Sequence, residues 1–376
     1  MKFFKKVGVI VFLFLCFFLI KIPEVVLAQE GSSGISFEAT VTKIEEEKQI
    51  EIEDQSQLYQ KLELKVETGS EVNKVIVVEN GRDAMANVIK YKKGDRVIVT
   101  KEQTPEGKDF YSITDFVRRG SLAVLAVIFV VLILIITKWK GFTSLLSMGF
   151  TFLILFIYVL PQISEGQNPL IVATIASLII IPVSFYVAHG ISKKTTVAIA
   201  GSFIALLITA ILSFIFINIG QLTGISSEEA GMLLVNRQGN MNMKGLLLAG
   251  IVIGALGILN DITISQSAVV NELIEITKKP KPMVIYKQAM NVGRDHIASM
   301  VNTIVLAYAG VSLPLLLIFI GNSHSFLEII NYEFLAEEII RTLVGAIGLT
   351  LAVPITTFIA VYWIKKPVEK FLPKHD

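Results

Sequence analysis

The chain has 376 residues, of which 53% are hydrophobic and only 18% charged, with a formal net charge of +2. Soluble domains carry about 25% charged residues, so this composition excludes an ordinary water-soluble globule, and its near-neutral balance gives no support to a nucleic-acid partner. The single cysteine, Cys16, excludes intrachain disulfides and multi-cysteine metal sites.

Lys2, Lys5 and Lys6 precede an apolar run over 7–20, and Val26-Leu27-Ala28 sets small residues before Gln29. These are the parts of a secretory signal, expected over 1–28. An uncleaved anchor is the alternative, and either one exports the segment beginning at Gln29. The FLFLCFF context of Cys16 lacks the small residue that precedes a lipidated cysteine.

Residues 29–117 hold eighteen of the thirty-two acidic residues against twelve Lys and Arg. Leu62, Leu64 and Val66 alternate with charged residues, as a half-buried strand requires. Similar runs occupy 37–44, 75–79, 96–101 and 110–116, with turn chemistry at Asn80-Gly81, Lys93-Gly94-Asp95 and Pro105-Glu106-Gly107. Five or six short strands in this span predict a small β-barrel of the OB or SH3-like kind. Its aromatics (Phe37, Tyr59, Tyr91, Phe110, Tyr111, Phe116) suit a core, or else a binding face.

From 118 to 364 the pattern becomes that of an all-α membrane bundle. Apolar runs approaching the about 20 residues needed to cross a bilayer lie near 120–137, 142–160, 170–188, 196–219, 245–264, 297–320 and 343–364, predicting seven transmembrane helices and a cytoplasmic tail over 365–376. Thirteen Lys and Arg, from Lys138 and Lys140 to Lys370 and Lys374, fall on the side of the C-terminus; the opposite loops hold Arg237, Lys244 and Arg341. The positive-inside rule then puts the β domain outside and the C-terminus in the cytoplasm. Ser147-Met148, Thr151 and Pro161 are echoed by Ser299-Met300, Thr303 and Pro314, and Pro182 and Pro354 each stand eleven residues before a lysine pair. Parallel repeats would produce this echo, and so would chance among apolar helices.

Asp261 is the only charge clearly inside a predicted span. An ionised carboxylate in lipid costs at least about 2.5 to 3.5 kcal/mol, so such a residue normally faces a cavity or a partner. It stands beside Asn260, with Gly250, Gly254 and Gly257 upstream; the first two have the spacing that lets another helix approach closely. The sixth span enters through Arg294, Asp295, His296, Asn302 and Thr303. Antiparallel neighbours would bring Asp261 toward Arg294 or Asn302, forming a polar cluster of the kind an ion or proton pathway uses. The plain alternative assigns Asp261 to a helix end near the interface, Asp295 to a helix N-terminus and Arg294 to an inside anchor. The four histidines are too scattered for a metal motif, and HExxH, Walker and GxSxG sequences are absent, so neither metal nor cofactor is expected and no familiar enzyme is indicated. Ser226-Ser227-Glu228-Glu229 reads as the cap of a short helix.

The segments GALGILNDITIS (254–265) and NVGRDHIASMVNTIVLAYAG (291–310), with the order of exported domain then helices, resemble the YibE/F family of bacterial multi-pass membrane proteins. Gly254, Gly257, Asp261, Gly293, Arg294, Asp295, Asn302, Thr303, Tyr308 and Gly310 carry the resemblance; Met300 and Val301 stand where smaller or hydroxylated residues are expected. The resemblance implies a bacterial plasma-membrane location and an architecture, not an activity. The expectation is a secondary transporter or channel for a small solute or ion, using Asp261. The alternative is a sensor or scaffold whose outer domain binds an envelope ligand or protein. The lipid bilayer is the expected partner in either case, with a homo-oligomer as a further option.

Overall fold

Alternation of buried apolar residues with more exposed ones builds the N-terminal sheet. The computed structural model describes residues 35–52, 55–69, 71–84, 88–103, 107–237, 239–277, 281–319 and 325–364. The expected signal over 1–28 and the tail over 365–376 lie outside them. The chain divides between Ile135 and Ile136 into two units.

In the first unit, β1 (Ile35–Ile52), β2 (Gln55–Val66), β3 (Val75–Asn80), β4 (Arg96–Gln103) and β5 (Asp109–Phe116) form one antiparallel sheet in the order β3-β2-β1-β4-β5. β1 is long enough to pair with β2 along its length and with β4 over Ile35–Thr40, and irregularities follow Val41 and Ile44. Phe37, Ala39, Val41, Leu62, Leu64, Val66, Ile76, Val78, Val97 and Val99 all point to one face and form its core with Tyr91. Gly81 takes φ +77°, and a Cβ there would stand 2.1 Å from the Leu58 carbonyl oxygen, so the turn after β3 requires glycine. The expected barrel is replaced by an open sheet: β3 and β5 share no ladder. Side chains approach instead, with Lys74 Nζ 3.2 Å from the Tyr111 hydroxyl. Lys101 lies between Glu71 and Asp109, 2.8 Å from each. These two lysines hold the Glu71 carboxyl down at about 2.

The helices are α1 (Arg119–Ile154), continuing through a π-helical turn at Leu155–Val159 into α2 (Leu160–Ser164), then α3 (Pro169–His189), α4 (Lys193–Ile219), α5 (Glu228–Asn236), α6 (Met243–Ile276), α7 (Pro282–Val311), α8 (Leu313–Phe319), α9 (Phe326–Ile329) and α10 (Glu333–Trp363). Among the described residues five helical stretches are long and apolar enough to cross a bilayer, not the seven expected. The first two expected spans are one helical stretch, Arg119–Ser164, interrupted only by the non-helical backbone of Lys138. The sixth, expected over 297–320, is divided between α7, which ends at Val311, and α8, which starts at Leu313; α7 taken alone carries Lys287, Arg294 and Asp295 ahead of the apolar run and is not among the five.

In the second unit α4, α6 and α10 form the centre, with α3 packed on α4 and α6, and α7 on α6 and α10. Their shared core includes Phe185, Leu206, Leu259, Ile262, Ile304, Leu349 and Val353. Ser227 caps α5 by accepting from Ala230 N at 3.1 Å, as the sequence suggests. Thr151 and Thr303 of the local echo each donate to the carbonyl four residues back, of Ser147 and Ser299, as Thr174, Thr209 and Thr350 also do to theirs.

Candidate functional site

α6 has 34 residues and is ~51 Å long at about 1.5 Å per residue. Asn242 starts it by accepting from Gly245 N at 2.8 Å. The helix runs to Ile276, well past the expected end at 264, so Asp261 lies near its middle. The reading of Asp261 as a helix-end residue is thereby corrected.

Gly250, Gly254, Gly257 and Asp261 recur at helical spacing and are all exposed. Added Cβ atoms at Gly250 and Gly257 would meet nothing within 4 Å, and at Gly254 only the Tyr308 hydroxyl, at 3.7 Å. Among the described residues this stripe is therefore an open face, on which no other helix of the chain packs closely. Asp261 has no hydrogen bond or ion pair among them. It is near enough to His189, at the end of α3, to act on it electrostatically. Asn260 turns inward by comparison, and its Oδ1 is buried without a partner.

α7 borders the same face. Its register is fixed by Gly293, where a Cβ would stand 2.6 Å from Val353 Cγ1 and 3.1 Å from Gln266 Oε1. Tyr308, Val301 and Arg294 follow one another at seven-residue intervals, so Arg294 shares the side of α7 from which Tyr308 reaches Gly254. Arg294 donates to Asn291 Oδ1 at 3.2 Å and forms no ion pair with Asp261. Asp295, Asn302 and Thr303 are also exposed. The expected cluster is thus not a contact set: Asp261 and Arg294 border one open face without an ion pair between them, Asn260 turns inward, and Asp295, Asn302 and Thr303 are exposed on α7.

A second polar constellation, which the sequence does not announce, lies inside the bundle. Gln266 donates to Thr357 Oγ1 at 2.7 Å and to the Ala289 carbonyl at 3.1 Å, joining α6, α7 and α10. Ser202 and Thr263 share a 2.7 Å hydrogen bond, and Ser267 donates to the Lys194 carbonyl at 2.7 Å, joining α4 to α6. Close helix packing occurs between α4 and α10. A Cβ at Gly201 would stand 2.2 Å from Thr356 Oγ1, and one at Gly348 would stand 2.0 Å from Thr209 Oγ1. The signal is visible as small and hydroxylated residues eight apart in two apolar runs, but pairing them requires knowing which helices touch.

The start of α10, which precedes the apolar run expected over 343–364, is helical. Glu333 Oε1 accepts from Thr223 Oγ1 at 2.8 Å and from Gly224 N at 3.0 Å, fastening the loop after α4. Arg341 pairs with Glu338 at 2.6 Å, and Glu337 is buried with Oε1 unpartnered. No group of three or more metal-ligating side chains occurs among the described residues.

The sequence model of one protein family, described as YibE/F-like protein, matches residues 125–366. No curated protein matches the chain, and no solved structure does.

Proposed function

This chain belongs to the YibE/F-like family, and on that premise we propose that it carries a small solute or ion across the bilayer, with Asp261 as the ionisable binding or coupling residue. The observation that carries this reading is an unpartnered carboxylate at mid-length of a 34-residue helix, on an open face floored by glycines. A carboxylate left to lipid costs at least about 2.5 to 3.5 kcal/mol. Water, a solute or another chain must therefore meet it there. Arg294 and Tyr308 supply polar groups beside that face and Asn260 a buried one behind it, while Asp295, Asn302 and Thr303 extend the polar surface of α7.

The lysine and arginine bias supports a β domain outside a bacterial plasma membrane and a cytoplasmic C-terminus. If Lys138 turns the chain between two crossings and α7 with α8 makes another, seven crossings result and this orientation follows. The test replaces Asp261 with cysteine in a Cys16→Ala background and applies a membrane-impermeant thiol reagent to each side of intact membranes. Labelling, together with loss of flux in Asp261→Asn, is the expected result. An unlabelled position beside a reactive loop control would mean a packed structural carboxylate.

A second reading has its own observation. Val75 and Val77 on edge strand β3 point outward and are about half exposed, at 55% and 46%. An apolar edge strand is a template for another strand. In this reading the outer sheet binds an envelope protein, and the helices anchor it or pass a signal inward. Deleting residues 29–117 separates the two, since transport should survive it and sensing should not.

A further inference from the structure

The helix of α1 is interrupted at Lys138, whose φ of 54° and ψ of −125° are non-helical. The next residues, Trp139 and Lys140, line a cleft of about 430 Å³ with Thr143, the end of α3 (Val187, Ala188, His189, Gly190) and Lys194 of α4. Its shape has local causes. Gly190 ends α3 at φ +77°, and Ser192 caps α4 by accepting from Thr195 N at 3.3 Å, so a tight turn brings Lys194 back toward His189. Thr143 donates to the Ala188 carbonyl at 3.3 Å, and Ser147 donates to Ser184 Oγ at 2.9 Å, tying the second half of α1 to α3.

We propose that this cleft is a binding site for the phosphate group of an anionic phospholipid. Two lysines, Lys140 and Lys194, line it beside the His189 imidazole, and no carboxylate does. Lys140 and Lys194 have no ion pair among the described residues. Asp261 reaches His189 only through its field and does not line the cleft. The cleft lies where apolar helical segments end or begin, at Trp139, His189 and Lys193. Its rim is apolar: Trp139 is 61% exposed, and Ile191, in the turn, 87%. A free anion needs only the cations, whereas acyl chains also cover that rim. Tryptophan beside lysine is how membrane proteins meet the headgroup layer. The inference does not depend on the transport reading.

The full-length protein in detergent is titrated with phosphatidylglycerol or phosphatidylcholine, and bound lipid is counted by native mass spectrometry. Phosphatidylglycerol is expected to be retained at least about tenfold more tightly. Lys140→Ala with Lys194→Ala should weaken it about thirtyfold, a factor of about five for each lysine near anionic lipid. Replacing both lysines by arginine should preserve binding. Equal retention of the two lipids, or a double-alanine variant that binds like the parent, overturns the proposal. Inorganic phosphate that binds through the same lysines while phosphatidylglycerol does not would assign the cleft to a free anion and overturn the lipid source. A second readout avoids any lysine variant. Trp363→Phe leaves Trp139 as the sole tryptophan of two, and brominated phosphatidylglycerol should quench it more than brominated phosphatidylcholine. Equal quenching also overturns the proposal.

Discussion

Gly348→Ala tests whether α4 and α10 are held together by glycine seated against threonine. The added methyl would lie 2.0 Å from Thr209 Oγ1 and 3.3 Å from Thr209 Cβ. Thr209 Oγ1 is engaged, donating to the Ala205 carbonyl at 2.9 Å, so moving it sacrifices a hydrogen bond. Overpacking costs about 1 to 3 kcal/mol, and the lost bond about 0.5 to 1.5. Replacing a helical glycine by alanine returns about 1 kcal/mol. The net expectation is a loss of about 0.5 to 3.5 kcal/mol. Gly201→Ala should cost less, because Thr356 Oγ1 has no partner to lose when it moves. The assay is thermal unfolding in detergent, followed by size-exclusion of the fluorescently tagged protein. Thr209→Ala should rescue Gly348→Ala, with a coupling of about 0.5 to 3 kcal/mol for residues in contact. Strict additivity of the two substitutions, or a Gly348→Ala protein as stable as the parent, would refute the packing argument.

Other expectations concern the polar groups. Gln266→Leu should destabilise the bundle by about 1 to 3 kcal/mol, because Thr357 and the Ala289 carbonyl lose their donor in a buried setting; unchanged thermal unfolding would contradict this. Asp261→Asn should abolish flux while leaving the unfolding temperature equal or higher, since the charge it removes has no partner among the described residues; a collapse in stability would reveal a structural carboxylate. The Glu71 carboxyl is depressed from 4.5 to about 2, so its contribution to the N-terminal sheet is fully present above pH 4.5 and lost as pH falls toward 2. Hydrogen exchange over 35–116 should therefore quicken in that window, and less so in Glu71→Gln.

The strands are legible in the sequence because charge alternating with valine, leucine and isoleucine permits one register, as at Leu62, Leu64 and Val66. Asp261 is legible because one carboxylate stands out in an apolar run. Its neighbours are not, since hydropathy records how apolar a helix is and not which face meets which helix. Gly250 and Gly254 have packing-motif spacing, yet Gly250 faces open space and Gly254 meets only the Tyr308 hydroxyl, while Gly201 and Gly348, without such spacing, meet Thr356 and Thr209. The start of α10 is hidden by Glu333, Glu337, Glu338 and Arg341. These charges resemble those of a loop, but Glu333 accepts from the loop after α4 and Glu338 pairs with Arg341.

The composition of α7 bears on the order in which the bundle is made. Arg294, Asp295 and Lys287 keep it from meeting the apolar requirement that five other helical stretches meet. Such a helix gains little by partitioning alone into lipid, and its place depends on neighbours. One neighbour, α6, supplies Gln266 and leaves the ribosome first; the other, α10, supplies Val353 and emerges last. During synthesis α7 must therefore wait beside α6 for the segment that completes its seat at Gly293. Truncation before residue 333 would strand it at the membrane surface, a fate that a glycosylation or protease-protection assay on nascent chains can follow.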